Sequence, residues 1–311
     1  STILHAASAI TAMSIDQDDS ILMVVPMFHV MAWGIPYYGP MLGNKIVMPG
    51  LINGHSHAAM TLFRGIADDY PLFEWLNNYI FPAEVAFVDK EFVEIGTELA
   101  CWEMIRGGTT TFVDMYYFPD AISRVVDSCG LRALVSATVI DQASPDASDA
   151  RDSLVKGETF IRKWKGKSRR VMPILGPHSN YTLNLDQLKV TRSLAEKLGV
   201  SLSIHMSESM FENQQAKSNY KDTSINVFES IDFLAGPTIA AHVVWPSDRE
   251  IETLKKTVGL KPNLIILQVL DNDIYEVSYA KMRHTQPVMI SDSNLLKPSV
   301  EEIKIVENCD I

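Results

Sequence analysis

The chain is 311 residues long, 47% hydrophobic and 21% charged, an ordinary composition for one large globular domain or two modest ones. Its formal net charge is −11 and no basic stripe of the kind that tracks nucleic-acid phosphates is visible, which argues against nucleic-acid binding. The three cysteines, Cys101, Cys129 and Cys309, are odd in number and scattered, which suits a reducing compartment rather than a disulfide framework.

Residues 1–45 are rich in Met and aromatics and carry no charge between Asp19 and Lys45. They show no period, so an extended or hairpin-like apolar segment that packs on something is expected. The apolar stretch 21–38 contains Pro26, His29 and Pro36 and lacks flanking positive charge, so it does not read as a membrane span. No basic residue precedes Lys45, so the amino end does not read as a signal peptide. A cytoplasmic location follows from these readings.

From residue 46 onward, β-rich apolar runs alternate with amphipathic helical patterns. The runs are residues 46–51, 109–115, 132–140, 171–175, 201–205, 238–243, 263–269 and 286–292. The helical patterns are 92–106, 121–129, 154–164, 185–198, 225–233, 248–257 and 274–284. Alternation of this kind argues for parallel βαβ units. Eight of them close into a TIM-like (β/α)8 barrel, and the span from His55 to Asp292 fits the roughly 250 residues such a barrel takes. Residues 46–311 are thus read as an α/β barrel domain, with residues 1–45 apart from it.

His55-Ser56-His57 ends the first run. Residues two apart on a strand share a face, so two imidazoles point the same way from a strand end, which is how a transition-metal site begins. A surface or helix-capping pair is the alternative. Five of the eight histidines fall at predicted strand ends: His55, His57, His178 in Gly176-Pro177-His178, His205 with Glu208 three residues later, and His242. Asp292 closes the last run. In a barrel those carboxyl ends form the active face. Each residue also has a plainer reading. His205 and His242 fit as core histidines, His178 as a loop histidine and Glu84 as part of a solvated helix start.

The stretch from Pro49 to Gly65, with Asn53-Gly54-His55-Ser56-His57 at its centre, resembles the amidohydrolase superfamily. Within it, the S-adenosylhomocysteine/methylthioadenosine deaminases and related chlorohydrolases are most similar. Asp68-Asp69-Tyr70-Pro71-Leu72, Ile80-Phe81-Pro82-Ala83-Glu84, Gly107-Gly108-Thr109-Thr110-Thr111, Gly176-Pro177-His178 and His205 with Glu208 extend the resemblance over residues 46–257. It implies one divalent metal, zinc with Fe2+ as the alternative, bound by His55, His57 and His205 and completed by a strand-eight Asp. It also implies Glu208 as proton shuttle, His242 as polarising group, Glu84 as a ribose grip and His178 as a substrate contact. The implied reaction is hydrolytic deamination of an amino-substituted heterocycle, with a purine nucleoside derivative preferred because of Glu84. A small-molecule substrate and a homo-oligomer go with it. Residues 1–50, notably Pro26-Met27-Phe28-His29 and Gly43-Asn44-Lys45, resemble a fragment of AMP-forming acyl-CoA ligases. They bring no phosphate loop, and His29 reads as a packing residue.

After Thr257 the superfamily pattern stops. Its strand-seven His-Asn-Pro motif and strand-eight Gly-Thr-Asp-Gly loop are absent, so a barrel distorted at strands seven and eight is expected. Most of the usual small β-sandwich is missing as well. Asp292 follows the apolar run Pro287-Val288-Met289-Ile290, fifty positions past His242, about the spacing of two βα units. It is the candidate fourth ligand and catalytic acid. Asp271 and Asp273 are fallbacks, and a turn or capping Asp is the plainer reading. Three functions stay open: the deaminase, a dehalogenase or a pterin or guanine deaminase of the same superfamily, and an inactive mosaic or metal-binding remnant.

Overall fold

The computed structural model describes residues 20–22, 45–47, 50–67, 69–260 and 264–267. Contacts divide the chain into two units, Ser1–Leu51 and Ile52–Ile311. In the first, strands β1 (Ser20–Leu22) and β2 (Lys45–Val47) pair in parallel, with Ile21 opposite Ile46. The predicted first barrel strand, 46–51, is therefore displaced. Residues 45–47 pair with β1, and the barrel strand β3 is Leu51–Ser56. Pro49, which has no N–H for a ladder, lies between the two.

The second unit is a seven-stranded sheet in the order β3-β4-β5-β6-β7-β8-β9. After β3 come β4 (Thr109–Tyr116), β5 (Arg132–Val139), β6 (Val171–Pro177), β7 (Leu202–Met206), β8 (Thr238–His242) and β9 (Leu264–Leu267). Every pair from β4 to β9 is parallel. Strand order follows chain order without reversal, which is the winding of a barrel rather than of an open doubly wound sheet. Laid flat, β3 and β8 would be about 24 Å apart at the usual strand spacing. The His55 ring on β3 instead lies 5.1 Å from the His242 ring on β8. The sheet has curled back on itself, as a TIM-like barrel requires.

Helices fill the connections. A nearly continuous helical segment comprises α1 (Leu72–Trp75), a π-turn (Leu76–Ile80) and α2 (Phe81–Phe87). It is followed by α3 (Lys90–Arg106), α4 (Pro119–Cys129), α5 (Ala150–Trp164), α6 (Leu185–Leu198), α7 (Met210–Tyr220), α8 (Ser224–Ser230) and α9 (Asp248–Leu260). Asp89, Asp149 and Asn184 cap α3, α5 and α6 through side-chain bonds to backbone N–H groups. The predicted starts of these three helices, 92, 154 and 185, fall two, four and zero residues from the observed ones. The predicted run 286–292 and helix 274–284 lie outside the described residues.

The period-two alternation of the strands sorts their side chains. Phe112, Val135, Val139, Leu175, Leu202 and Ile204 point out against the helices and are buried there with Ile122, Phe160 and Leu188. Val113, Leu134, Ile174 and Ile239 point in and form a separate layer inside the barrel. The same alternation turns His205 inward between Ile204 and Met206. One glycine fixes the approach to β3. A Cβ on Gly96 of α3 would stand 2.4 Å from the Ala59 carbonyl oxygen, so only glycine lets this helix lie on the turn Ala58–Phe63. Thr61 Oγ1 donates to the Gly96 carbonyl at 2.9 Å and completes that contact.

Candidate active site

Three imidazoles meet at the carboxyl ends of the strands. Ligating nitrogens of His55, His57 and His205 lie within 4.8 Å of one another. Two more rings border them. His178 lies 4.7 Å from His205, and His242 lies 5.3 Å from His205, centroid to centroid. All five histidines that the sequence placed at strand ends therefore share one site.

Their hydrogen bonds define the tautomers. His57 Nδ1 donates to the Met115 carbonyl at 2.6 Å, and His205 Nδ1 donates to the His178 carbonyl at 2.8 Å. A carbonyl can only accept, so both rings carry their proton on Nδ1. Their Nε2 atoms, each with a lone pair, then face each other at 3.3 Å. Both ring nitrogens of His55 are buried without a partner. Two facing lone pairs and an orphaned buried ring are what a shared cation would resolve. Tetrahedral ligands at about 2.1 Å from zinc stand about 3.4 Å apart, matching the Nε2 pair. The donor set fits a divalent metal.

Burial, reinforced by neighbouring rings, lowers the His55 pKa to about 2, that of His178 to about 3 and that of His242 to about 4. His57 and His205 are lowered for the same first reason. All five are neutral near pH 7, the form that ligates metal.

Glu208 lies beside this cluster. Its Oε1 is 3.6 Å from His242 Nε2, and its Oε2 accepts from the Tyr181 hydroxyl at 3.3 Å. Burial first, then the neighbouring Glu212 charge, push its pKa up to about 8. An aromatic wall closes this side: the Phe73 ring lies 5.0 Å from Tyr181 and 4.5 Å from Phe211. The helical segment carrying Phe73 continues to Glu84, which is buried and accepts from the Tyr117 hydroxyl at 3.1 Å.

Burial raises the Glu84 pKa from 4.5 to about 7. Between those values the folded protein binds more protons at this group than the unfolded chain, so stability falls as pH rises through the window. Glu84→Gln is expected to be near neutral at about pH 4.5 and to stabilise by about 1–3 kcal/mol at about pH 8. Urea midpoints at the two pH values check this, and equal shifts at both would refute it.

Two acids the sequence reading did not single out support the site. Asp114, fully buried on β4, accepts from Ala58 N at 2.6 Å and from Ser56 Oγ at 3.0 Å, and so grips the residues between and after His55 and His57. Its signal was an acid inside the apolar run 109–115. Glu212, on the first turn of α7, accepts from the N–H groups of Ser207 and Glu208. Asp292, Asp271 and Asp273 lie outside the described residues. A cavity of about 590 Å³ opens at the opposite end of the strands beside Arg132 and Arg192, away from these groups.

The Amidohydrolase family profile matches residues 46–292. A 5-methylthioadenosine/S-adenosylhomocysteine deaminase of Thermodesulfovibrio yellowstonii is 42% identical over 227 residues, 73% of this chain and 51% of that protein. A 5'-deoxyadenosine deaminase of Methanococcoides burtonii is 40% identical over 67% of this chain and 48% of that protein. A zinc-bound adenosine deaminase from Xanthomonas campestris superposes with a TM-score of 0.68 at 29% identity, covering 75% of this chain and 54% of that one. The chain thus spans about half the length of the curated relatives it matches. The acyl-CoA ligase resemblance of residues 1–50 is not borne out by these comparisons. A family match over most of the chain, together with histidines converging at the carboxyl rim of a parallel barrel, shows that this chain belongs to the amidohydrolase family.

Proposed function

We propose that this chain carries the site of a metal-dependent hydrolytic deaminase of a purine nucleoside derivative. The observation that carries the reading is the convergence of His55, His57 and His205 with the Glu208–His242 pair directly beside them. The three imidazoles would hold one divalent cation, zinc, with Asp292 as fourth ligand. Bound there, the cation supplies Lewis acidity and brings the pKa of water toward neutrality.

The chain's own groups do the rest. Water adds to the ring carbon that bears the amino group, and Glu208, which the positive charge of a bound cation would keep ionised, accepts the proton that water loses. The C–N bond then breaks, and Glu208 returns a proton to the departing nitrogen, which leaves as ammonia. His242, 3.6 Å from that carboxylate, polarises the heterocycle at the attacked carbon. Tyr181 holds the other carboxylate oxygen. Glu84, kept in place by Tyr117, grips the ribose, and His178 contacts the substrate beside His205. The deaminase relatives differ in what the 5' carbon of their named substrates carries, so the class proposed is a nucleoside varied at that position. A cytoplasmic location and self-association belong to the same reading. No helix among the described residues is long and apolar enough to cross a membrane.

Ammonia release from S-adenosylhomocysteine, methylthioadenosine, 5'-deoxyadenosine and adenosine, measured with bound metal per chain, tests the reading. About one metal and turnover of at least one nucleoside are expected. Turnover of guanine, a pterin or a chlorinated heterocycle alone would replace the nucleoside. Stoichiometric metal with no turnover on the whole panel would leave a metal-binding remnant.

A further inference from the structure

We propose that Glu212 is a positioning residue for this reaction: bonded under the turn after β7, its carboxylate fixes where Glu208 stands, and with Asn213 it ties that turn to the one after β8. The proposal rests on the deaminase reading and concerns residues that reading leaves unused.

Both turns carry backbone that side chains avoid. Ser207 has φ +50, and across from it His242 and Val243 have φ +76 and +46. For a β-branched valine that is an outlier, and such conformations persist only where surrounding bonds over-determine them. Those bonds are present. Ser207 N–H donates to Glu212 Oε1 at 2.9 Å, and Glu208 N–H donates to Glu212 Oε2 at 2.7 Å. Ser224 Oγ also donates to Oε1, and the whole side chain is 1% exposed. The next residue bridges the turns. Asn213 Nδ2 donates to Ser207 Oγ at 3.2 Å and to the Trp245 carbonyl at 2.9 Å. The Ser207 carbonyl accepts from Val244 and Trp245, and Val243 N–H reaches the Met206 carbonyl.

The consequence is geometric. Glu208 follows β7 and His242 ends β8, yet the turns after these strands share one set of bonds. The 3.6 Å between them is set by this brace rather than by the two side chains alone. The Ser209-Met210-Phe211-Glu212 spacing would ordinarily return the Glu side chain to the N–H of Ser209 in a capping box. Here Glu212 keeps its interaction with that N–H and reaches beyond it to those of Ser207 and Glu208, the residues that aim the proton shuttle. A carboxylate is needed because both of its oxygens accept from adjacent N–H groups. An amide of the same shape offers one acceptor and sets an NH2 against the other N–H.

Glu212→Gln in the full chain is expected to lower kcat by about 10²-fold, the cost of a misplacement near 1 Å, with KM within about threefold and bound metal per chain unchanged. Glu212→Asp, which keeps the charge, is expected to restore part of kcat. Unchanged kcat would overturn the proposal. So would a joint loss of kcat, metal and urea midpoint, which marks a residue that only holds the fold. If Glu212→Gln does not fold, Asn213→Ala is read in the same way, with kcat down about tenfold at unchanged metal content expected and full activity decisive against the proposal. Wild-type turnover separates the two levels. An inactive wild type overturns the deaminase reading and this inference with it, whereas an active wild type with a fully active Glu212→Gln overturns the inference alone.

Discussion

Glu208→Gln is expected to lower kcat for nucleoside deamination by roughly 10²–10⁴-fold, the range a single general acid–base group supplies. The amide keeps the side chain's shape, so the Tyr181 hydroxyl retains an acceptor and the substrate pocket is unaltered. It cannot take a proton from water or return one to ammonia. KM is therefore expected to stay within a few-fold, and bound metal to remain at the wild-type level. The paired measurement is ammonia release together with metal content by atomic absorption. Loss of metal in the variant would show that Glu208 works by holding the cation. Retained turnover would assign the shuttle to another group.

The second large effect concerns His205. A complete ligand set is worth about 10–16 kcal/mol in small zinc domains. One ligand in four then accounts for about 3 kcal/mol, or about 10²–10³-fold in affinity. His205→Ala is expected to weaken zinc binding by that factor, measured by competition with a chromogenic chelator, and to abolish turnover at ordinary metal levels. His205 is held by its Nδ1 bond to the His178 carbonyl, so His205→Gln is expected to fare no better. His178→Ala, which keeps that carbonyl, is expected to retain metal. Equal metal loss in both variants would mean that the ligand set is misassigned.

These expectations show which parts of the site were legible in the chain. Period-two alternation put His55 and His57 on one face at a strand end but left a capping pair open, and the amidohydrolase resemblance was what implied that His205 joins them. Glu208 as proton shuttle also came from that resemblance, its spacing to His205 being compatible with it. The barrel was legible because apolar strands and capped helices alternate at even spacing and because parallel neighbours follow chain order. Asp114 and Glu212 were missed for a different reason. Each acts on backbone N–H groups of another segment, and nothing local marks which N–H a buried carboxylate will meet. The break at Pro49 was visible but undervalued, so the first barrel strand was placed several residues too early.

The cluster has one more consequence, which follows from how far apart its members are along the chain. His57 and His205 are separated by 148 residues and meet at 3.3 Å. A cation gripped by both closes a loop of that length, and such a closure removes more freedom from the unfolded chain than a short one does. Such a cation would act as a clasp on the barrel as well as a reagent. Chelation should loosen the whole wall from β3 to β7, and the melting temperature should track free zinc across its titration.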